Sequence, residues 1–518
     1  MKPVFAPRGV VATSQPLAAS AGLAVLRRGG NAVDAALATA IALTVVQPTS
    51  NDIGGDLFAI VWDGERLHGL NGSGRSPAAL TLDRLGGRMP ERGWLPVTVP
   101  GAPAAWRDLH ERFGALPFAD LFTDAVEYAE RGYPVSPEVA RAWVGAVAEH
   151  SALRGPEFAE WGRVFTVSGR APRAGERWRN PGAARALRLI AETHADAFYR
   201  GEIASALAAH AGGTGGLLTA ADLAAHASTW VEPVSVTYRG HEVWELPPNG
   251  QGVAALLALG VLDGVDLAAM PLADRLHWQI EAMKLGFADT FAYVADPAAM
   301  AVPTAALLTP EYLASRRALL GERAALPGPG EPVRGGTVYL STADTGGMMV
   351  SLIQSNYMGF GSYVALPGFG FGLHNRGVGF RLEPDHPNAV GPGKRPFHTI
   401  IPGFLTRGGT PVGPFGVMGG HMQPQGHLQV ISSTLDRGLD PQAALAEPRW
   451  RWQAGRTVLV EEGLARPAVL EQLRSRGHEV RVEPEPTGFG YGQAIWRLLD
   501  GGYVAGSEPR ADGSALGY

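Results

Sequence analysis

The sequence predicts a protein of mixed helix and strand, mostly helical in its first half and strand-rich in its second. Three features carry that expectation: Ala/Leu-rich stretches at helical spacing ahead of residue 300, a Pro/Gly-rich break at 318–336, and short apolar runs between glycines after it. With 518 residues, 46% of them hydrophobic, the chain can bury a large core. Such a length suits two to four domains or one large α/β unit.

Residues 16–28 and 31–46 read as two helices, with Gly29-Gly30 as the stop and restart between them. In "LFAIVWDGERLHGLNG", 57–72, two short strands flank Asp63-Gly64, a strong hairpin signal. Residues 104–153, 183–228 and 272–295 have helical spacing and are bounded by Pro or Gly. The run 318–336, "ALLGERAALPGPGEPVRGG", is expected to be an exposed, weakly ordered connection. Beyond it "TVYLSTA", "MMVSLIQS", "TIIPGFL", "PFGVM" and "TVLVEE" read as strands. No repeat of fixed period appears, and no low-complexity tract apart from the alanine richness.

Composition removes several classes of function. A net charge of −5 and a pI near 6.3 leave no basic surplus for phosphate contacts, so no nucleic-acid partner is expected. With no cysteine there is no disulfide, thiolate nucleophile or Cys-ligated zinc. A covalent nucleophile must then be Ser, Thr, Lys or a carboxylate. The start has a single Lys2 and is interrupted by Pro3 and Pro7, so no signal peptide is expected. The longest apolar run, 35–46, falls short of the roughly 20 residues of a spanning helix. The expectation is a cytoplasmic protein with no membrane partner.

In "GEPVRGGTVYLSTADTGG", 330–347, a threonine stands directly after Gly335-Gly336 where the linker becomes a strand. An autoproteolytic site needs such an arrangement: glycines let the backbone bend at the scissile bond, and the hydroxyl attacks the preceding carbonyl. Cleavage after Gly336 would leave Thr337 as a new N-terminus, whose α-amino group, with a pKa of about 7.7–8.0, can act as base for its own hydroxyl. The same string also serves as an ordinary turn before a strand. Spacing alone leaves both readings open.

"GGNAVDAALATAIALTVVQPTSNDIGGDLFAIVWD" at 29–63, "EAMKLGFADTFAYVADP" at 281–297, and the block from Thr337 through "VMGG" at 417–420 resemble the gamma-glutamyltranspeptidase family. The similarity runs from near Arg8 to the C-terminus. It implies the N-terminal nucleophile hydrolase fold, an α+β four-layer αββα sandwich. It also implies a precursor that cuts itself into residues 1–336 and 337–518, the two fragments remaining entwined as one domain. Thr337 would form an acyl-enzyme with a small-molecule amide or gamma-glutamyl substrate, water completing hydrolysis and an amine completing transfer. No cofactor is implied, and a homo-oligomer is compatible.

Residue by residue, the resemblance makes Gly419-Gly420 the oxyanion-binding pair and puts Ser355 where the family has a second threonine beside the nucleophile. The substrate-binding positions depart from the family. Its Asn-Asn-Gln-x-x-Asp-Phe string is "HNRGVGF" here, so Asn375 is kept, Arg376 replaces the Gln and Gly379 the Asp. The Arg that clamps the substrate carboxylate is Ser73, with Arg75 displaced by two. The Asn two residues beyond the second threonine is Tyr357, with Asn356 beside it, and a Ser-Ser pair becomes His398-Thr399. The segment between Phe380 and Lys394, a lid in some members, is short, so the site is expected to be open. Losing an acid and gaining Arg376 disfavours a bound ammonium and favours a carboxylate. That points to an acyl group carrying a carboxylate without needing an α-amino group, closer to the cephalosporin and glutaryl acylase side of the family.

Rival readings are weaker. The glycines of "GFGSYVALPGFGFG", 359–372, form no complete phosphate-binding loop. His421 and His427 in "HMQPQGH", separated by Pro424, fit no helical metal-ligand pair, so no metal is expected. A non-catalytic relative that keeps the fold for binding or structure is the remaining alternative.

Overall fold

The structure is a computed structural model that describes residues 2–326, 336–485 and 488–518, Gly336 and Thr337 for the backbone alone. Two seven-stranded sheets form its centre. Edge to edge, the first runs Ser514–Gly517, Val10–Thr13, Gly336–Ala343, Met349–Tyr357, Asp56–Trp62, Leu67–Asn71 and Thr229–Val231. The second runs Val4–Ala6, Tyr503–Ser507, Tyr491–Arg497, Thr410–Met418, Gly403–Arg407, His241–Glu245 and Val234–Tyr238. Neighbouring strands are antiparallel throughout both. Each sheet draws strands from both sides of residue 336.

The strand period of two sorts side chains into layers. Tyr339, Ile353, Phe58 and Ile60 meet Phe404, Ile400 and Ile495 between the sheets. Their neighbours Val338, Leu340, Leu352, Leu57 and Ala59 point the other way, into a core with helices Pro16–Arg27 and Ala32–Val46. On the outer face of the second sheet, Leu405, Phe415, Val417 and Ala494 pack with helices Gly252–Leu262, Leu272–Tyr293 and Met422–Arg437. The order of layers is helix, sheet, sheet, helix, as the resemblance implied.

Local signals explain many boundaries. Gln15 caps the first helix by accepting from the Leu17 and Ala18 amides, and Asn31 with Asp34 forms a capping box on the second. The hairpin expected around Asp63-Gly64 is present as Asp56–Trp62 and Leu67–Asn71. The stretch 104–153 divides at its prolines into Ala102–Phe113, Thr123–Arg131 and Pro137–Ala152. Both halves are more mixed than expected. The first contributes strands Val234–Tyr238 and His241–Glu245, and the second holds helix Met422–Arg437. Pro424 sits in that helix's first turn, where a missing N–H costs little. Of the expected connection 318–336, Leu319 and Leu326 are exposed; residues 327–335 lie outside the described residues. No helix among those described is long and apolar enough to cross a membrane.

Candidate active site

The strand that carries Thr337 begins beside Tyr357, its partner being Gly336, and the register shifts between Gly336 and Val338. The Thr337 side chain lies outside the described residues. Around this strand end several expected residues converge on Arg376.

Arg376 sits in the short turn Arg376–Gly379 and is fully buried. Its guanidinium lies over the Tyr357 ring, 4.2 Å from the centroid. Nη1 donates to Thr399 Oγ1 at 2.7 Å, and Nη2 to Ser355 Oγ at 3.3 Å. The Tyr357 amide donates to the same Ser355 oxygen at 2.7 Å. Among the described residues no carboxylate lies within ion-pair distance of Arg376, and its Nε has no hydrogen-bond partner. Burial pulls its pKa down to about 10 against the pull of Asp56.

Asp56 faces Ser355 across the sheet. Its Oδ1 accepts from the Gly101 amide at 3.1 Å, and its Oδ2 from His398 Nε2 at 3.0 Å. The Ile400 amide donates to His398 Nδ1, so the His398 proton resides on Nε2. Burial holds His398 neutral, far below the usual histidine range, and pushes the Asp56 carboxyl up to about 7 although Arg376 draws it down. His374 completes the group, with Nδ1 accepting from the Arg376 amide at 3.1 Å and Nε2 standing 3.8 Å from Asp56.

Gly419 and Gly420 join strand Thr410–Met418 to helix Met422–Arg437 with φ of 134° and 61°. Those angles favour glycine, and a Cβ on Gly419 would stand 3.1 Å from Gly490 Cα. Among the described residues neither amide donates to a protein acceptor, so both remain available to a developing oxyanion. The Gly420 carbonyl is held by Gln251 Nε2 at 2.8 Å. The same nitrogen donates to the Thr399 carbonyl at 2.7 Å, while Gln251 Oε1 accepts from His421 Nδ1 at 2.8 Å. Gln251 therefore ties the glycine turn to the Thr399 loop that Arg376 touches. Sequence reasoning singled out neither Gln251 nor Asp56. The one local signal was an acid opening the otherwise apolar strand Asp56–Trp62.

Other expected residues sit differently. Asn375 staples loops, its Nδ2 donating to the Glu91 carbonyl and its Oδ1 accepting from the Met358 amide. Asn356 is buried, with its amide on the Ser50 carbonyl and no side-chain partner among the described residues. Arg75 is half-exposed, pairs with Asp296 at 2.9 Å, and makes no hydrogen bond to the Arg376 group. Ser73 is buried against Asn71 and Asn249. At Gly379 a Cβ would meet the Phe397 carbonyl oxygen at 2.4 Å, so the family's acid has no room. The expected openness is not found at this cluster: Arg376, Ser355 and Thr399 are at most 1% exposed. The short segment 381–393 folds on itself, Lys394 Nζ donating to the Pro387 and Ala389 carbonyls. A cavity of about 400 Å³ instead begins at Gly419.

His421 and His427 do lie at the start of one helix, contrary to the reading of Pro424 as an obstacle, but they face Gln251 and Glu245 respectively. Among the described residues His277, Glu281 and His478 bring possible metal-ligand atoms within 4.8 Å of one another. Lys284 Nζ already donates to Glu281 at 2.7 Å, so an ammonium supplies the charge a cation would bring.

Residues 18–518 match the family profile described as Gamma-glutamyltranspeptidase. The chain belongs to that family. It is 36% identical to the glutathione hydrolase-like YwrD proenzyme of Bacillus subtilis (strain 168), over 100% of this chain and 99% of that protein. It is likewise 36% identical to the oxamate amidohydrolase proenzyme of Klebsiella pneumoniae, over 98% of each. The crystal structure of a cephalosporin acylase from Bacillus halodurans superposes with a TM-score of 0.96 at 50% identity, covering 100% of this chain and 97% of that one. The family identity and the sandwich expected from the sequence thus both hold, and the gamma-glutamyltranspeptidase family makes the protein an amide-hydrolase-type enzyme.

Proposed function

We propose that the protein is a self-processing amide hydrolase that acts through an acyl-enzyme on Thr337, on amides whose acyl part carries a carboxylate, of the glutaryl or gamma-glutamyl type. Cleavage after Gly336 frees the Thr337 amine, which accepts the hydroxyl proton as Oγ1 attacks the substrate carbonyl. The Gly419 and Gly420 amides receive the oxyanion, the amine departs with the proton, and water hydrolyses the ester. Ser355, which accepts a hydrogen bond from Arg376 Nη2, orients the nucleophile's surroundings. The relatives named as proenzymes support the processing step.

The observation that carries the substrate class is Arg376, a buried cation with hydroxyl partners and, among the described residues, no contacting carboxylate. A buried charge lacking a contacting counterion favours an incoming anion. The acid that would hold an ammonium has no place at Gly379, and Asp56 is occupied by His398 and backbone amides. A substrate carboxylate with no α-amino group meets both conditions. Comparing glutaryl and gamma-glutamyl 4-nitroanilides tests this: kcat/KM at least equal for the glutaryl compound is expected, and a strong preference for the gamma-glutamyl one would contradict it.

A further inference from the structure

Arg75 makes no hydrogen bond to the Arg376 group, yet it shares a cavity of about 380 Å³ with a second guanidinium, that of Arg395. The volume is within the range of small-molecule sites. Arg395 is buried. Its Nε donates to the Ser73 carbonyl at 3.0 Å, and its Nη2 to Thr229 Oγ1 at 3.0 Å and the Ala227 carbonyl at 3.3 Å. Among the described residues Arg395 Nη1 has no acceptor, and no carboxylate lies within ion-pair distance of this guanidinium. Burial and the like charge of Arg75 pull Arg395 down to about 10 against Asp296 and Asp56. Arg75 spends Nη1 on Asp296 and the Gly393 carbonyl, and its other two nitrogens have no acceptor among the described residues.

His226 lines the same cavity, and its Nε2 is buried without a partner among the described residues. Burial, then the charges of Arg395, Arg107 and Arg75, hold this imidazole neutral, down to about 3. The one carboxylate of the wall, Asp222, is already taken by the Ala78 and Thr219 amides and the Thr219 hydroxyl. Buried Val99 with Ala78, Ala225 and Ala227 supplies an apolar surface.

We infer that this cavity is a second carboxylate site, separate from the proposed acyl site at Arg376, for a small organic monoanion with a compact apolar body. The inference does not depend on the Thr337 chemistry. A buried guanidinium with a free N–H gains from an incoming carboxylate through a charge-assisted hydrogen bond. The valine and alanine surface favours an organic body over a bare inorganic ion.

Isothermal titration with benzoate, its neutral isostere benzamide and inorganic phosphate tests this. Saturable benzoate binding is expected, retained in Arg376→Met and weakened about tenfold or more in Arg75→Gln. Benzamide and phosphate should each bind about tenfold more weakly than benzoate, or worse. Loss of benzoate binding in Arg376→Met places the anion at the acyl site and overturns the inference, as do affinity unmoved by Arg75→Gln and phosphate or benzamide binding as tight as benzoate. A second measurement needs no variant: phenylglyoxal modification of Arg75, followed by peptide mass mapping of the parent protein. Benzoate should slow it about fivefold or more, and an unchanged rate at saturating benzoate overturns the inference.

Discussion

Gln251 Nε2 lies 2.8 Å from the carbonyl oxygen of Gly420, a residue 169 positions further along the chain. Its second hydrogen goes to Thr399, and its oxygen accepts from His421, so this buried amide has a partner at every atom that can bond. Gln251→Ala would leave the Gly420 carbonyl without this donor and free the turn. The cost per lost buried partner is about 1–3 kcal/mol. The expected result is kcat/KM for a glutaryl anilide lower by roughly ten- to a hundredfold, larger than any fall in a substrate-free property such as secondary-structure content.

That residue marks the limit of what the sequence makes legible. Strand periodicity, the Asp63-Gly64 turn and the glycine pair at 419–420 are local signals, and each corresponds to an element of the structure. Gln251 acts across the fold, and its partners are two carbonyls and a histidine that no spacing rule connects. Helix Gly252–Leu262 is buried on all sides, so it offers no amphipathic stripe to read. Arg376 was legible as a charge change, but its stacking on Tyr357 and its hydroxyl partners depend on three separate segments meeting.

Arg376→Met removes the buried cation while keeping an apolar side chain over Tyr357. Activity on glutaryl amides should fall far more than activity on butyryl amides, the ratio shifting by about a hundredfold, or roughly 3 kcal/mol. Arg376→Lys should recover little, since a point ammonium cannot span Ser355 and Thr399 as the fork does. Steady-state kinetics on the paired substrates check both.

Asp56 gives a pH signature. A carboxyl raised to about 7 from its ordinary 3.8 binds its proton more tightly folded than unfolded. Its contribution therefore falls as pH rises through that window, and levels off above it. Asp56→Asn should flatten the decline in stability between about pH 4 and pH 7 relative to the parent protein. Urea midpoints measured across that range for both proteins check the difference; identical slopes would show that Asp56 does not titrate there.

Gly379→Asp would place a Cβ 2.4 Å from the Phe397 carbonyl oxygen. Restoring the acid should thus destabilise the protein by about 2–3 kcal/mol without creating a preference for gamma-glutamyl substrates. Thermal midpoints and the glutaryl to gamma-glutamyl ratio report the two effects separately.

In the proposed reaction Thr337 becomes the N-terminus of a new fragment and the nucleophile. Intact-mass spectrometry of the purified protein beside Thr337→Ala tests it most directly. Two fragments are expected, the smaller beginning at Thr337, and a single uncut chain for the variant. One full-length mass in both samples would contradict it, because the Thr337 amine would then never be freed.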